Sequence, residues 1–279
     1  MSLMLDFSVE TYYFKQRKIN RAAMQEGFFM NGTDQQWMRP PHNLKLAHDE
    51  VHVWRSSLQA PLAVIEHLRR VLSTEETTKA NRFRFEKDRH HYIVARGLLR
   101  TLLGRYLGLK PEQLHFGYNA YGKPELLFPQ LASPLQFNVS HSHELALHAF
   151  TYGRELGVDV EYMRTNIEYD ELAKHSFSPY EQGVLGTLSA EVKQQAFFNC
   201  WTRKEAYIKA RGMGLSLDLD LFDVSLRPGE PIALLGSRED QREVVRWRFR
   251  ELDPGLDYAG ALAVEGQDWR LRCWQWQEE

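Results

Sequence analysis

Cysteine is nearly absent from this chain. Cys200 and Cys273 are the only two in 279 residues, and they form no C-x-x-C pair. That excludes a disulfide framework and a zinc ribbon, and it fits a reducing compartment. Long apolar runs are missing too, since none approaches the ~18 residues of a membrane-spanning helix. The first residues, MSLMLDFSVETYYFKQRK, carry acids and lack the charged, apolar, small order of a secretory signal. A cytoplasmic location with no membrane attachment is the expectation. Neither sign of charge dominates, with 35 Lys and Arg against 37 Asp and Glu and a net charge of −2. A basic face for bulk nucleic-acid binding therefore has no support, although a local cationic pocket does not depend on the total. Three signatures are also lacking: G-x-x-x-x-G-K-[ST], G-x-G-x-x-G after a strand, and G-x-S-x-G. Their absence removes the P-loop, the Rossmann cofactor site and the hydrolase elbow.

What is present divides into two α-plus-β halves. Residues 1–45 are polar and mixed, and read as a loosely attached N-terminal extension. In the first half, 46–153, a strand-like EVHVWRSSL is followed by one helical stretch from Ser73 to Gly108. Ser73 and Glu76 form a capping box, and Leu98, Leu99, Leu102, Leu103, Tyr106 and Leu107 recur with helical period. After Pro111 the period changes to two. HFGYNAYGKPEL carries a turn centred on Tyr121–Pro124, and LQFNVSHS and ELALHAFTYGRELGVDVEY read as strands. In the second half, 154–279, Ser178, Pro179 and Glu181 open a helix. A longer one runs from about Glu191 to Gly212, and short strands close the chain. The echo of YIVARG (92–97) in YIKARG (207–212) matches at five of six positions. With the repeated element order it points to a duplicated fold.

The chemistry gathers in four stretches. In GVDVEY, strand alternation sends Val158 and Val160 to one face and Asp159 and Glu161 to the other. Two solvated acids on an exposed strand give the same pattern. A divalent cation would relieve their repulsion, and oxygen donors favour Mg2+ or Mn2+ over zinc. In WTRKEAYIKARGMGL a helix places Trp201, Glu205 and Lys209 on one face. That makes Glu205 a third candidate ligand, with Lys204 and Lys209 as anion-binding cations; a solvated Glu–Lys pair is the plainer reading. FNVSHSHE ends a strand with Ser140 and Ser142, which suit phosphate oxygens. His141 and His143 lack the third soft ligand a zinc site needs. YGKP alone means a turn.

In order and spacing, GKP, NVSHS, GVDVEY and WTRKEAYIKARGMGL closely resemble the Sfp-type 4′-phosphopantetheinyl transferases, over roughly residues 50–265. The resemblance implies an α+β fold of two pseudo-duplicated α/β halves with the active site in the cleft between them. It implies transfer of 4′-phosphopantetheine from coenzyme A to a serine of an acyl or peptidyl carrier protein. Asp159, Glu161 and Glu205 would hold Mg2+ with the diphosphate, and Lys204 and Lys209 would face the phosphates. Ser140 and His141 would hold phosphate oxygens, His141 those of the 3′-phosphate. Gly122, Lys123 and Pro124 would line the adenine pocket. Lys79 would be a phosphate-binding cation, with Arg82, Arg89 and Arg96 as basic neighbours. Glu205 is the candidate base for the serine proton, with Lys209 helping to position it. The chain departs from the family pattern at His90, His91 and Tyr92. Carrier docking is expected over 165–190, which carries Phe177, Tyr180, Val184 and Leu185, with Arg164 and Lys174 at the rim. Two halves in one chain imply a self-sufficient monomer. The rival readings are a Mg-dependent phosphohydrolase built on the same acids and a catalytically weak family member retained for binding coenzyme A or a carrier.

Overall fold

Alternation and helical period set the layers of this protein. A computed structural model describes residues 36–127, 135–165 and 167–277. Most of the expected extension, residues 1–35, lies outside the described residues. Residues 36–46 are not loosely attached: the Met38 amide donates to Cys273, the Gln275 amide donates to Met38, and Leu44 and Leu46 pack on the first core.

Strand β1 (Glu50–Ser57) opens the first half. Helix α1 (Leu62–Arg70), which the sequence reading left unassigned, buries little beyond Ile65 and Leu68. The stretch expected as one helix is two. Helix α2 (Thr74–Asn81) begins with the Ser73/Glu76 capping box, the chain turns through 82–85, and α3 (Glu86–Leu107) resumes. Hairpin β2 (Phe116–Tyr118) and β3 (Pro124–Leu126) follows, then β4 (Leu135–Ser142) and β5 (Leu145–Tyr152). In the second half come β6 (Leu156–Tyr162), α4 (Tyr169–Ser176), α5 (Pro179–Gly186) and α6 (Ala190–Arg211). Short strands β7 (Phe222–Val224) and β8 (Leu234–Ser237) lead to a single turn, α7 (Glu243–Arg246). The chain closes with β9 (Trp247–Leu252), β10 (Tyr258–Glu265) and β11 (Arg270–Gln275).

The halves repeat element by element. The β1-β5-β4 part of the first sheet corresponds to the second sheet, β6-β10-β9. Long helices α3 and α6 are both 22 residues, 104 apart (86 to 190), and end at left-handed glycines, Gly108 and Gly212, also 104 apart (108 to 212). The YIVARG/YIKARG echo lies at 115 (92 to 207), eleven residues or about three helical turns out of that register. It repeats a helix face, not the duplicated position. The last strand, β11, returns from the second half to pair in parallel with β1.

One face of the two sheets meets in a shared core of Val51, Val53, Leu147, Ala149, Val158, Val160, Leu262 and Val264. Fully buried Val158 and Val160 each contribute about 1.5–3 kcal/mol. The other faces are covered by α3, through Leu99, Leu102 and Leu103, and by α6, through Phe197, Cys200 and Tyr207. Helix α6 sits directly on β6 at Gly157, where a Cβ would overlap the Ala206 carbonyl and the Ala210 amide. That contact fixes which turn of α6 lies over the odd-numbered face of β6.

Candidate active site

With the valines of β6 committed to the inter-sheet core, Gly157, Asp159 and Glu161 face α6. Asp159 is 2% exposed. Its Oδ1 accepts from Lys209 Nζ at 2.6 Å and from Ser140 Oγ at 2.8 Å, while Oδ2 is buried without a partner. Ser140 Oγ also accepts from Lys209 Nζ at 2.9 Å. Glu161 Oε2 accepts from Ser142 Oγ at 2.7 Å. Glu205 lies one turn before Lys209 on α6. Burial first, then Asp159, push its carboxyl up to about 7, with Glu161 adding and Lys209 opposing. Burial and Asp159 raise Glu161 too.

The strand that supplies the serines also joins the halves. Alternate β4 side chains reach alternate β6 amides: Asn138 Oδ1 accepts from Val158 at 2.9 Å, Ser140 Oγ from Val160 at 3.4 Å and Ser142 Oγ from Tyr162 at 3.1 Å. These caps occupy amides of an edge strand that would otherwise be open to another chain. The i, i+2, i+4 spacing of Asn138, Ser140 and Ser142 was the signal for this role, and the sequence reading used only part of it.

Several assigned residues stand elsewhere. Lys204 is fully buried, paired to Glu181 at 2.8 Å and donating to the carbonyls of Leu219 and Phe222. Its three donors are spent in the core, so the phosphate-facing role expected for it is corrected. Adjacent helix residues point about 100° apart, and Lys204 takes the inner side while Glu205 takes the site. Lys123 Nζ reaches Glu155 at 3.0 Å and the carbonyls of Leu156 and Ala210. Asn119 donates to the Gly212 carbonyl. The hairpin carrying Gly122 and Pro124 is thus clipped to the end of α6. Its turn falls over Asn119–Gly122, earlier than expected, with Gly122 at φ +87°. Tyr118 pairs with Pro124. His141 keeps an exposed face at the end of β4, while partial desolvation of its ring by the neighbouring site, then the charge of Lys209, lowers its pKa. Among the described residues no three His, Cys, Asp or Glu side chains stand close enough to hold an ion as they are.

Lys79 and Arg96 share a cavity of about 440 Å3 with Arg82, Arg100, Tyr92 and Phe116. Arg96 Nε donates to Glu76 at 2.5 Å and its guanidinium lies 4.0 Å above the Phe116 ring. Arg100 donates to Glu76 at 2.6 Å and to the carbonyls of Pro111 and Leu114. Lys79 stands over the Tyr92 ring at 5.5 Å. Arg89 is an outer residue, 4.0 Å from Glu86. The sequence reading missed Glu76 and Arg100 as the floor of this cavity, because a capping box reads as a local device. In the expected docking segment, Phe177 and Leu185 are core residues, whereas Tyr180 is 50% exposed and Leu172 41%.

Clustered carboxylates beside one partly exposed lysine, together with a separate cationic cavity, form a candidate site whose charges suit a phosphate-rich substrate. Comparison with known proteins identifies the class. The family model described as 4′-phosphopantetheinyl transferase superfamily matches residues 155–264, and that described as 4′-phosphopantetheinyl transferase, N-terminal, matches 52–151. The 4′-phosphopantetheinyl transferase HetI of Nostoc sp. is 40% identical over 240 residues, covering 86% of this chain and 98% of that one. The 4′-phosphopantetheinyl transferase Sfp of Bacillus subtilis is 31% identical over 192 residues, covering 69% and 82%. A phosphopantetheinyl transferase of Thraustochytrium sp. is 28% identical over 208 residues, covering 70% of each chain. The chain belongs to the 4′-phosphopantetheinyl transferase family.

Proposed function

We propose that the chain moves 4′-phosphopantetheine from coenzyme A to a serine hydroxyl of an acyl or peptidyl carrier protein. The serine Oγ–P bond forms, the P–O bond within the diphosphate breaks, and adenosine 3′,5′-bisphosphate leaves. The observation that carries this reading is the gathering of Asp159, Glu161, Glu205 and Lys209 where α6 packs on β6, with Lys209 Nζ 2.6 Å from Asp159 Oδ1. Glu205 faces the site and is the base that takes the serine proton as the Oγ–P bond forms. Lys209 supplies fixed positive charge where negative charge grows.

The donor set fits a hard divalent cation. Asp159 keeps a buried oxygen without a partner, and the neighbouring groups are carboxylates. Asp159, Glu161 and Glu205 would hold Mg2+ or Mn2+, which when bound would neutralise diphosphate charge and stabilise the leaving group. Ser140 keeps Asp159 oriented, and Ser142 does the same for Glu161. Lys79, Arg82 and Arg96 offer cations for the nucleotide phosphates, away from the acids.

Both halves come from one chain, which supports action as a monomer. Leu172 and Tyr180 are exposed in the segment that Arg164 and Lys174 flank or join in sequence, and those cations suit an acidic carrier.

The test is transfer of labelled coenzyme A to apo carrier, with and without EDTA. Glu205→Gln is expected to lower kcat by roughly 10²-fold or more with little change in coenzyme A affinity. Near-normal turnover in that variant removes Glu205 as the base. No transfer to any of several carriers removes the reading as a whole.

A further inference from the structure

A cation already stands in the acid centre. Lys209 Nζ lies 2.6 Å from Asp159 Oδ1 and 2.9 Å from Ser140 Oγ, and Asp159 is 2% exposed. A carboxylate buried that deeply demands a counter-charge, and Lys209 is the one it has. The two other lysines against this part of α6 are fixed. Lys204 is spent on Glu181 and two carbonyls in the core, and Lys123 is spent on Glu155 and two carbonyls at the helix end. The Lys209 side chain is 28% exposed, so it is the one of the three that solvent and a bound anion can reach.

Resting on the function proposed above, we infer that Lys209 is the resident counter-ion of this centre and couples metal binding to coenzyme A binding. A divalent cation beside Asp159 meets the like charge of the ammonium a few ångströms away, which weakens its binding. A diphosphate gives the ammonium a new partner, and Asp159 Oδ1 is then released to the metal. Metal and coenzyme A each bind better in the presence of the other, and the coupling is reciprocal. Lys209 therefore delays formation of the metal site until the substrate that needs it has arrived. A lysine that served only to hold phosphate would leave metal affinity in the free enzyme unchanged.

The experiment is direct Mn2+ binding, read from the electron paramagnetic resonance signal of free Mn2+, with and without coenzyme A. It compares the wild type with Lys209→Met, Lys209→Gln and Asp159→Asn. In the wild type, coenzyme A is expected to tighten Mn2+ binding by roughly tenfold or more. Both Lys209 variants are expected to bind Mn2+ roughly tenfold tighter than wild type when coenzyme A is absent, and to lose most of the tightening when it is added. The proposal is overturned if neither Lys209 variant binds Mn2+ more tightly than wild type, or if coenzyme A leaves wild-type Mn2+ affinity unchanged. Asp159→Asn separates the two levels of the argument. Loss of Mn2+ binding there upholds the metal site, so that a failure in the Lys209 variants falls on the counter-ion alone. Unchanged Mn2+ affinity in Asp159→Asn overturns the metal site and the counter-ion together.

Discussion

In the first half the capping-box glutamate, Glu76, faces two arginines; in the second its counterpart, Glu181, faces one lysine. The positions correspond, with Ser73 and Ser178 both capping and 105 apart (73 to 178). Burial pushes the Glu76 carboxyl up, but Arg100 and Arg96 outweigh it and hold it below the usual range. At Glu181 burial prevails over Lys204 and the amides of Val224 and Ser178, and the carboxyl is raised. The surroundings differ accordingly. Above Glu76 the structure opens into the cationic cavity, whereas the Glu181–Lys204 pair is sealed under Leu219 and Phe222. A duplicated scaffold has thus kept one motif and used it once as a cavity floor and once as a core pin. A buried ion pair with one opposite charge on each side depends on that charge, whatever neutral hydrogen bonds it also makes; a glutamate facing two cations beside an open cavity depends less on either.

The comparison is most easily broken at the cations. Lys204→Met leaves Glu181 buried without its counter-charge, and is expected to cost about 3–5 kcal/mol in urea unfolding. Arg96→Met leaves Arg100 on Glu76, and is expected to cost about 1–2 kcal/mol. Equal losses would remove the distinction between pin and floor. The cavity is tested next. Lys79→Ala is expected to raise the Kd for coenzyme A by roughly tenfold or more with kcat held, since a charged hydrogen bond is worth about 1.5–3 kcal/mol. An unchanged Kd would exclude the cavity from substrate binding.

The smallest effect concerns Glu205. Its folded-state pKa, about 7, lies above the ordinary 4.5, so its contribution is full below about 4.5 and lost as pH rises through 7. Glu205→Gln escapes that loss. The variant is expected to melt about 2–4 °C above wild type at pH 8, with the gap closing towards pH 5. A gap that widens on acidification would mean the carboxylate is stabilised, not strained, where it sits.

Much of this was legible in the sequence wherever the signal was local or periodic. The capping boxes, the left-handed glycines ending α3 and α6, and the alternation of β4 and β6 could all be read directly. Trp201, Glu205 and Lys209 fall on one face at i, i+4 spacing, and the structure brings the last two to Asp159. Adjacency misled at Lys204, because a neighbour in sequence is not a neighbour around a helix. The break at 82–85 was hidden because both flanking segments favour helix. Glu76 and Glu181 show as caps in the sequence, while their surroundings are set by Arg96 and Arg100 from the middle of α3 and by Val224 of β7 and Lys204 of α6. The hexapeptide echo gave the right idea of duplication from the wrong register.

The side-chain joint between β4 and β6 has a consequence for how such a protein changes over generations. A backbone ladder is made by every sequence alike, so substitution barely edits it. Here three codons, those of Asn138, Ser140 and Ser142, carry the hydrogen bonds that run from β4 to the β6 amides. Ser140 also orients Asp159, so a single residue answers to cohesion and to chemistry. Selection for a looser or tighter joint therefore cannot act at that position without disturbing Asp159 of the proposed site. Asn138 is the stitch least tied to the acids, and the one most free to drift.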